Sequence, residues 1–285
     1  MGDMQRVQQI CDEFERLCQT PFNDRLRDYK DAGGKIVGVL YNQVAEELVL
    51  AAGLLPVRLR AVGSKGDELA DARFTQVNCS EVRCLYDAAA RGTFDFIDGL
   101  VATNACDHVR KLYENWADVL KPPYSHLVCF PKRKGDDLQV AHLAGELAEF
   151  KASLEEHFGV QITDEALRAA IELTNEIRAL QLKLDDMRAE SANPPITGAQ
   201  ALAVHMAGTC MPRQDYKALL SELVDVCEGV EGLPGQKRLV IYGGEIDSLP
   251  FMETIESQGA VVVADSLGGF GRRSEDMQVA IDGDL

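Results

Sequence analysis

Two cysteines carry the strongest chemical signal in this chain. Cys79 lies in NCSEVRC and Cys106 in NACDHVRK. An asparagine closely precedes each, Asn78 and Asn104, and each sits where a helical pattern begins. A helix start offers free N–H groups and the positive end of the helix dipole. A thiol placed there is expected to have a lowered pKa and to suit a metal-ligating sulfur. Cys106 also follows FDFIDGLVAT, which reads as a strand. In open α/β sheets, ligands bind beyond the carboxyl ends of the strands. Spacing alone leaves two readings open: a metal-ligating pair, or small apolar residues at sheet–helix contacts.

Other groups carry weaker signals. Cys84 is five residues beyond Cys79, roughly 140° around a helix, so it points elsewhere. Asp107 and His108 form a candidate acid–base pair. Glu46 and Glu47 open the helix after the first strand, and Glu47 is a candidate acid–base residue if burial raises its pKa. Cys11, Cys18, Cys129, Cys210 and Cys227 have no ligand spacing and read as structural. The eight cysteines include no CxxC pair, so a zinc ribbon or thioredoxin-type site is disfavoured. Glycine turns after two later strands, Gly243-Gly244 and Gly268-Gly269, match neither GxGxxG nor a P-loop.

The elements that must position these residues follow from periodicity. Residues 4–31 read as helix, with Ile10, Phe14 and Leu17 on one face. KIVGVLYN, LLPVRLRA, FDFIDGLVAT and HLVCF read as strands, with helices between them. This alternation predicts a βαβ architecture with a mostly parallel sheet. Long helical patterns dominate 140–232, in AHLAGELAEFKASLEEHFG, DEALRAAIELTNEIRALQLKLDDMRAE and DYKALLSELVDVCEG, with a break at Asn193-Pro194-Pro195, and Leu167, Ile171, Thr174, Ile177 and Leu184 mark one packing face. From Lys237 the βαβ pattern returns with RLVIYGG and AVVVADSL. The expected class is α/β, with a Rossmann-like parallel-sheet lobe, a helical middle segment and the start of a second Rossmann-like lobe. The expected divisions are 1–30, an N-terminal helix; 31–135, the first lobe with both cysteines; 136–235, the helical segment; and 236–285, an incomplete second lobe.

Composition bounds the function. The net charge of −17 argues against a nucleic-acid surface. Arg58, Arg60, Lys65, Arg110, Lys111, Lys132, Arg133 and Lys134 are nevertheless concentrated in the first half, where an anionic cofactor would find them. No apolar run approaches the roughly 20 residues of a membrane helix, and the charged N-terminus has no signal-peptide centre. A cytoplasmic protein without nucleic-acid or membrane partners is expected.

Several ordered segments together resemble the 2-hydroxyacyl-CoA dehydratase and benzoyl-CoA reductase family. NACDHVRKLYENW resembles its second-cysteine motif, and ELADARFTQVNCSEVR its first-cysteine segment. VAEELVLAAGLLPVRL resembles its opening segment, with Ala45 where proline is usual. The likeness continues through TFDFIDGLVATNAC and LVIYGGEIDSLPFMETIESQGAVVVADSL. It covers most of residues 36–275, weakly in the helical middle. The resemblance implies two Rossmann-like lobes and a heterodimer of homologous subunits. It also implies a [4Fe–4S] cluster held by three cysteines, with Cys79 and Cys106 as the first two ligands. A separate ATP-hydrolysing activator would supply one low-potential electron, reducing an acyl-CoA thioester to a ketyl-type radical. The third ligand is expected further along than this chain reaches. No cysteine follows Cys227, and Gly268 stands where the family's Asp-Asp-Leu/Met-Cys-Thr-Gly segment has its cysteine. Against that family the chain reads as C-terminally truncated, as the N-terminal part of a split gene, or as a subunit whose cluster is incomplete. The alternative expectation is a non-catalytic structural or electron-transfer subunit that pairs with a complete homologue.

Overall fold

The computed structural model describes residues 2–41, 44–104, 106–133, 135–267 and 278–281. The readings made on Lys134 and on Gly268-Gly269 lie outside the described residues. The described residues divide into two compact units, one within 1–19 and 171–284, the other within 20–170.

The 20–170 unit is built on four parallel strands: β1 (Ile36–Leu40), β2 (Leu55–Arg58), β3 (Gly99–Thr103) and β4 (Ser125–Val128), in the order β2-β1-β3-β4. Every residue of β1, β2 and β3 is buried. That explains why these strands read as continuous apolar runs without alternation: helices cover both faces of a parallel sheet. The connecting helices are α3 (Glu46–Ala51), α4 (Ser80–Ala90) and α5 (Asp107–Asn115), and α6 (Asp137–Phe158) follows β4. The parallel α/β architecture expected from the sequence is present. β3 is shorter than FDFIDGLVAT suggested, because Thr93 to Phe96 form turns with Asp98 just outside the strand. Asp98 instead accepts from the Ile36 amide and from Lys30 Nζ, both at 2.7 Å, and pins α2 (Asp24–Asp31) to the edge of β1.

The expected continuous helix over 4–31 is two helices, α1 (Gly2–Cys18) and α2. Pro21 cannot continue a helix ladder. Asn23 then starts α2 afresh, its side chain accepting from the Leu26 amide at 3.1 Å. α1 and α2 fall in different units.

The other unit packs α1 with the later part of α7 (Asp164–Glu190), α8 (Gly198–Ala207), α9 (Arg213–Glu228), α10 (Leu249–Glu256) and a parallel pair, β5 (Lys237–Gly243) and β6 (Ala260–Leu267). Helix α8 is absent from the periodicity reading. All of its residues but Gln200 are buried, so it has no polar face to generate a period. Its start lies so close to β6 that a Cβ on Gly198 would sit 2.5 Å from the Val262 Cβ. The Glu256 carboxylate accepts from the Gly198, Ala199 and Val262 amides at 2.7, 3.1 and 2.9 Å, joining α8 to β6. Among the described residues, no helix is long and apolar enough to cross a membrane.

Candidate functional site

The site is built at the carboxyl edge of the four-stranded sheet. Cys106 is the N-cap of α5, extended at φ −143° and ψ 165°, and its Sγ accepts from the Val109 amide at 3.4 Å. Cys79 is the N-cap of α4, also extended, at φ −61° and ψ 149°. Both cysteines are exposed. Helices α4 and α5 pack on each other. Cys79 and Cys106 are thus exposed N-caps of two helices that pack on each other.

A hydrogen bond joins these two helix starts, and no sequence pattern points to it. The backbone N–H of Cys79 donates to Nδ1 of His108, 3.1 Å away. The sequence pairs His108 with Asp107 as a candidate acid–base couple. In the structure His108 is a backbone acceptor. Its visible sequence signal is its position two residues after Cys106.

The segments leading to each cysteine are fastened separately. Arg83, on α4, is buried and reaches back to Asp71 Oδ1 at 2.6 Å, Asp67 Oδ2 at 3.0 Å and Gln76 Oε1 at 3.1 Å. Asp87, one turn on, accepts from the Leu69 amide at 2.7 Å. Asn78 accepts from the Thr75 amide at 3.2 Å and closes the turn before Cys79. On the other side, Asn104 clips to the end of β4: its side chain accepts from the Phe130 amide at 2.9 Å and donates to the Phe130 carbonyl at 3.0 Å. The Asn104 carbonyl also accepts from Lys132 Nζ.

The expected lowering of the Cys79 pKa is not what the environment produces. Although the residue is exposed overall, partial loss of solvation at the thiol raises it from 9.0, and Glu81 and Cys106 add to that rise against the opposing Val82 and Cys79 amides. Loss of solvation outweighs the helix start here. A metal would displace the proton from such a thiol on binding.

Glu47 lies in the first turn of α3 and is buried, 8% exposed. Arg58 and Arg60 are buried as well. The Arg58 guanidinium lies 5.4 Å from the Tyr41 ring centroid. Tyr41, the residue after β1, lies in the left-handed region at φ 73°, a strained conformation for an aromatic residue. Cys84 is half-buried, and Cys11, Cys18, Cys210 and Cys227 are buried. Among the described residues, no group of three or more His, Cys, Asp or Glu side chains is arranged to hold a metal ion.

Residues 41–284 match the family described as 2-hydroxyglutaryl-CoA dehydratase, D-component. The chain belongs to that family. It is 28% identical over 247 residues to a benzoyl-CoA reductase subunit of Thauera aromatica, covering 84% of this chain and 63% of that protein. It is 25% identical over 275 residues to the (R)-phenyllactyl-CoA dehydratase beta subunit of Clostridium sporogenes, covering 95% and 72%. It is 24% identical over 262 residues to the (R)-2-hydroxyglutaryl-CoA dehydratase beta subunit of Acidaminococcus fermentans, covering 91% and 68%. The chain thus spans 63% of the first of these relatives, somewhat under two thirds. All three relatives are named as subunits of enzymes.

Proposed function

We propose that this chain is the iron–sulfur subunit of a 2-hydroxyacyl-CoA dehydratase or benzoyl-CoA reductase type enzyme. The observation that carries the proposal is the pair of exposed thiols capping adjacent helices at the carboxyl edge of the sheet. Soft sulfur donors at the positive ends of two helices suit an anionic iron–sulfur group. Cys79 and Cys106 would hold it, and further ligands would come from outside this pair. When bound, a [4Fe–4S] cluster supplies low-potential single-electron chemistry toward an acyl-CoA thioester.

The chain's own residues have separable tasks. Asn104, Arg83 and His108 hold the two thiol-bearing segments in place. Glu47, withdrawn from solvent near the same sheet edge, is the proposed acid–base residue. The partners in this proposal are a homologous second subunit, an ATP-dependent activator that delivers electrons, and the acyl-CoA. The proposed location is cytoplasmic.

The test is iron content and visible-region absorption after anaerobic reconstitution with ferrous iron and sulfide. Iron is expected in the wild type and is expected to be lost in Cys79→Ala and Cys106→Ala. Iron that is absent, or unaffected by both substitutions, would overturn the proposal. The pair by itself supplies two sulfurs, which favours one second reading. In that reading the chain is a structural or electron-transfer subunit beside a complete homologue. Turnover that survives Glu47→Gln but requires both cysteines would select this second reading.

A further inference from the structure

Helix α4 begins with an unusual solution to a common problem. The N–H of an N-cap residue lies outside the helix ladder and needs an acceptor. In a capping box, a Glu or Gln at the third helical position reaches back to it. Helices α6 and α8 do this, with Gln139 accepting from Asp136 and Gln200 accepting from Thr197. Helix α4 has Val82 at that position, which carries no acceptor. The acceptor comes instead from another helix: His108 of α5 takes the Cys79 N–H on its Nδ1.

The consequence is geometric. His108 is two residues from Cys106 and bonds the backbone of Cys79, so one side chain spans the two thiol-bearing caps. An Nδ1 that accepts leaves the ring hydrogen on Nε2 and defines the tautomer. We propose that His108 is a positioning residue that sets the spacing of the Cys79 and Cys106 sulfurs before any metal group binds. The use of that pair as cluster ligands rests on the proposed function above; the spacing itself does not.

The experiment uses reduced, metal-free full chain and phenylarsine oxide. The arsenic forms two As–S bonds with two nearby thiols and releases one water, with no change of oxidation state. Peptide mapping is expected to find Cys79 and Cys106 joined through arsenic, and Cys79→Ser is expected to lose this adduct. His108→Leu is expected to slow capture about three- to tenfold, the effect of one hydrogen bond. His108→Gln, whose amide oxygen can accept, is expected to recover most of the rate. Capture by His108→Leu at the wild-type rate, or equal losses in both variants, would overturn the proposal. Hydrogen exchange on the wild type provides a measure that needs no variant: the Cys79 amide is expected to be protected, and exchange as fast as an unstructured amide would also overturn it. If reconstitution with iron fails while capture still depends on His108, the cluster reading falls and the spacing role stands.

Discussion

His205 Nε2 lies 3.2 Å from Asp185 Oδ1, and both residues are buried. Arg188 completes the arrangement: Nη1 donates to Asp185 at 2.7 Å, and Nη2 donates to the Val262 carbonyl at 3.0 Å and reaches Asp265 at 3.5 Å. Burial opposes a charged imidazole, yet Asp185 and Asp265 outweigh it and raise the His205 pKa above 6.5. Burial also raises the Asp265 carboxyl, and here it prevails over Arg188 and His205. A raised folded-state pKa contributes stability that is present below the unfolded value and lost as pH climbs through the folded one. For His205 that loss begins above 6.5. Thermal melting of the wild type is therefore expected to weaken as pH rises from that point, and His205→Gln is expected to flatten the dependence. An equal slope in both proteins would show that this imidazole is not the responsible group.

At the acid end the same cluster acts oppositely. Burial alone would raise the Asp185 carboxyl, but His205 and Arg188 hold it down at about 2. Its contribution is present above the usual 3.8 and fades as pH falls toward that lowered value. Removing the arginine leaves two buried carboxylates short of their cation. Arg188→Met is expected to cost about 3–5 kcal/mol in urea unfolding, typical of breaking a buried pair from one side. A loss below about 1 kcal/mol, the range of exposed pairs, would contradict the role given to Arg188.

Helix α8 and the buried charge cluster also mark where sequence reading stops. Strands β1, β2 and β3 were legible because every residue in them is buried, and parallel strands covered on both faces appear as apolar runs. Cys79 and Cys106 were legible as helix starts from their local sequence. Helix α8 was not, because a helix buried all round carries no period. Neither was the charge cluster: Arg188 and Asp265 are 77 residues apart and meet only through packing. The His108 contact lies between these cases. Its residue type was visible, but its partner is the Cys79 backbone, which no side-chain pattern encodes.

Arg83 makes a local prediction. Its guanidinium binds Asp67, Asp71 and Gln76 and so fastens the segment that leads into Cys79. Both carboxylates are more exposed than Arg83, so they can return to water when it is removed. Arg83→Leu is expected to raise hydrogen exchange across 67–78 while the melting temperature changes little. Arg83→Lys is expected to restore little of the protection, because an ammonium lacks the planar fork that serves several acceptors at once. Unchanged exchange in Arg83→Leu would mean that Asp87 and the Leu69 amide suffice to hold the segment.

The thiols should separate cleanly by access. Cys79 and Cys106 are exposed, while Cys11, Cys18, Cys210 and Cys227 are buried. Burial also pushes the Cys227 thiol up to about 12 and raises Cys11 further. Since the thiolate is the nucleophile, these buried groups are doubly protected. Iodoacetamide applied to the native, metal-free chain is expected to label Cys79 and Cys106 ahead of the four buried cysteines. The four buried cysteines are expected to react only after denaturation. Because partial loss of solvation raises the Cys79 pKa above 9.0, its labelling is expected to be slow near neutrality and to accelerate past that pH. Fast labelling of Cys79 at neutral pH would show that the α4 amides outweigh its loss of solvation.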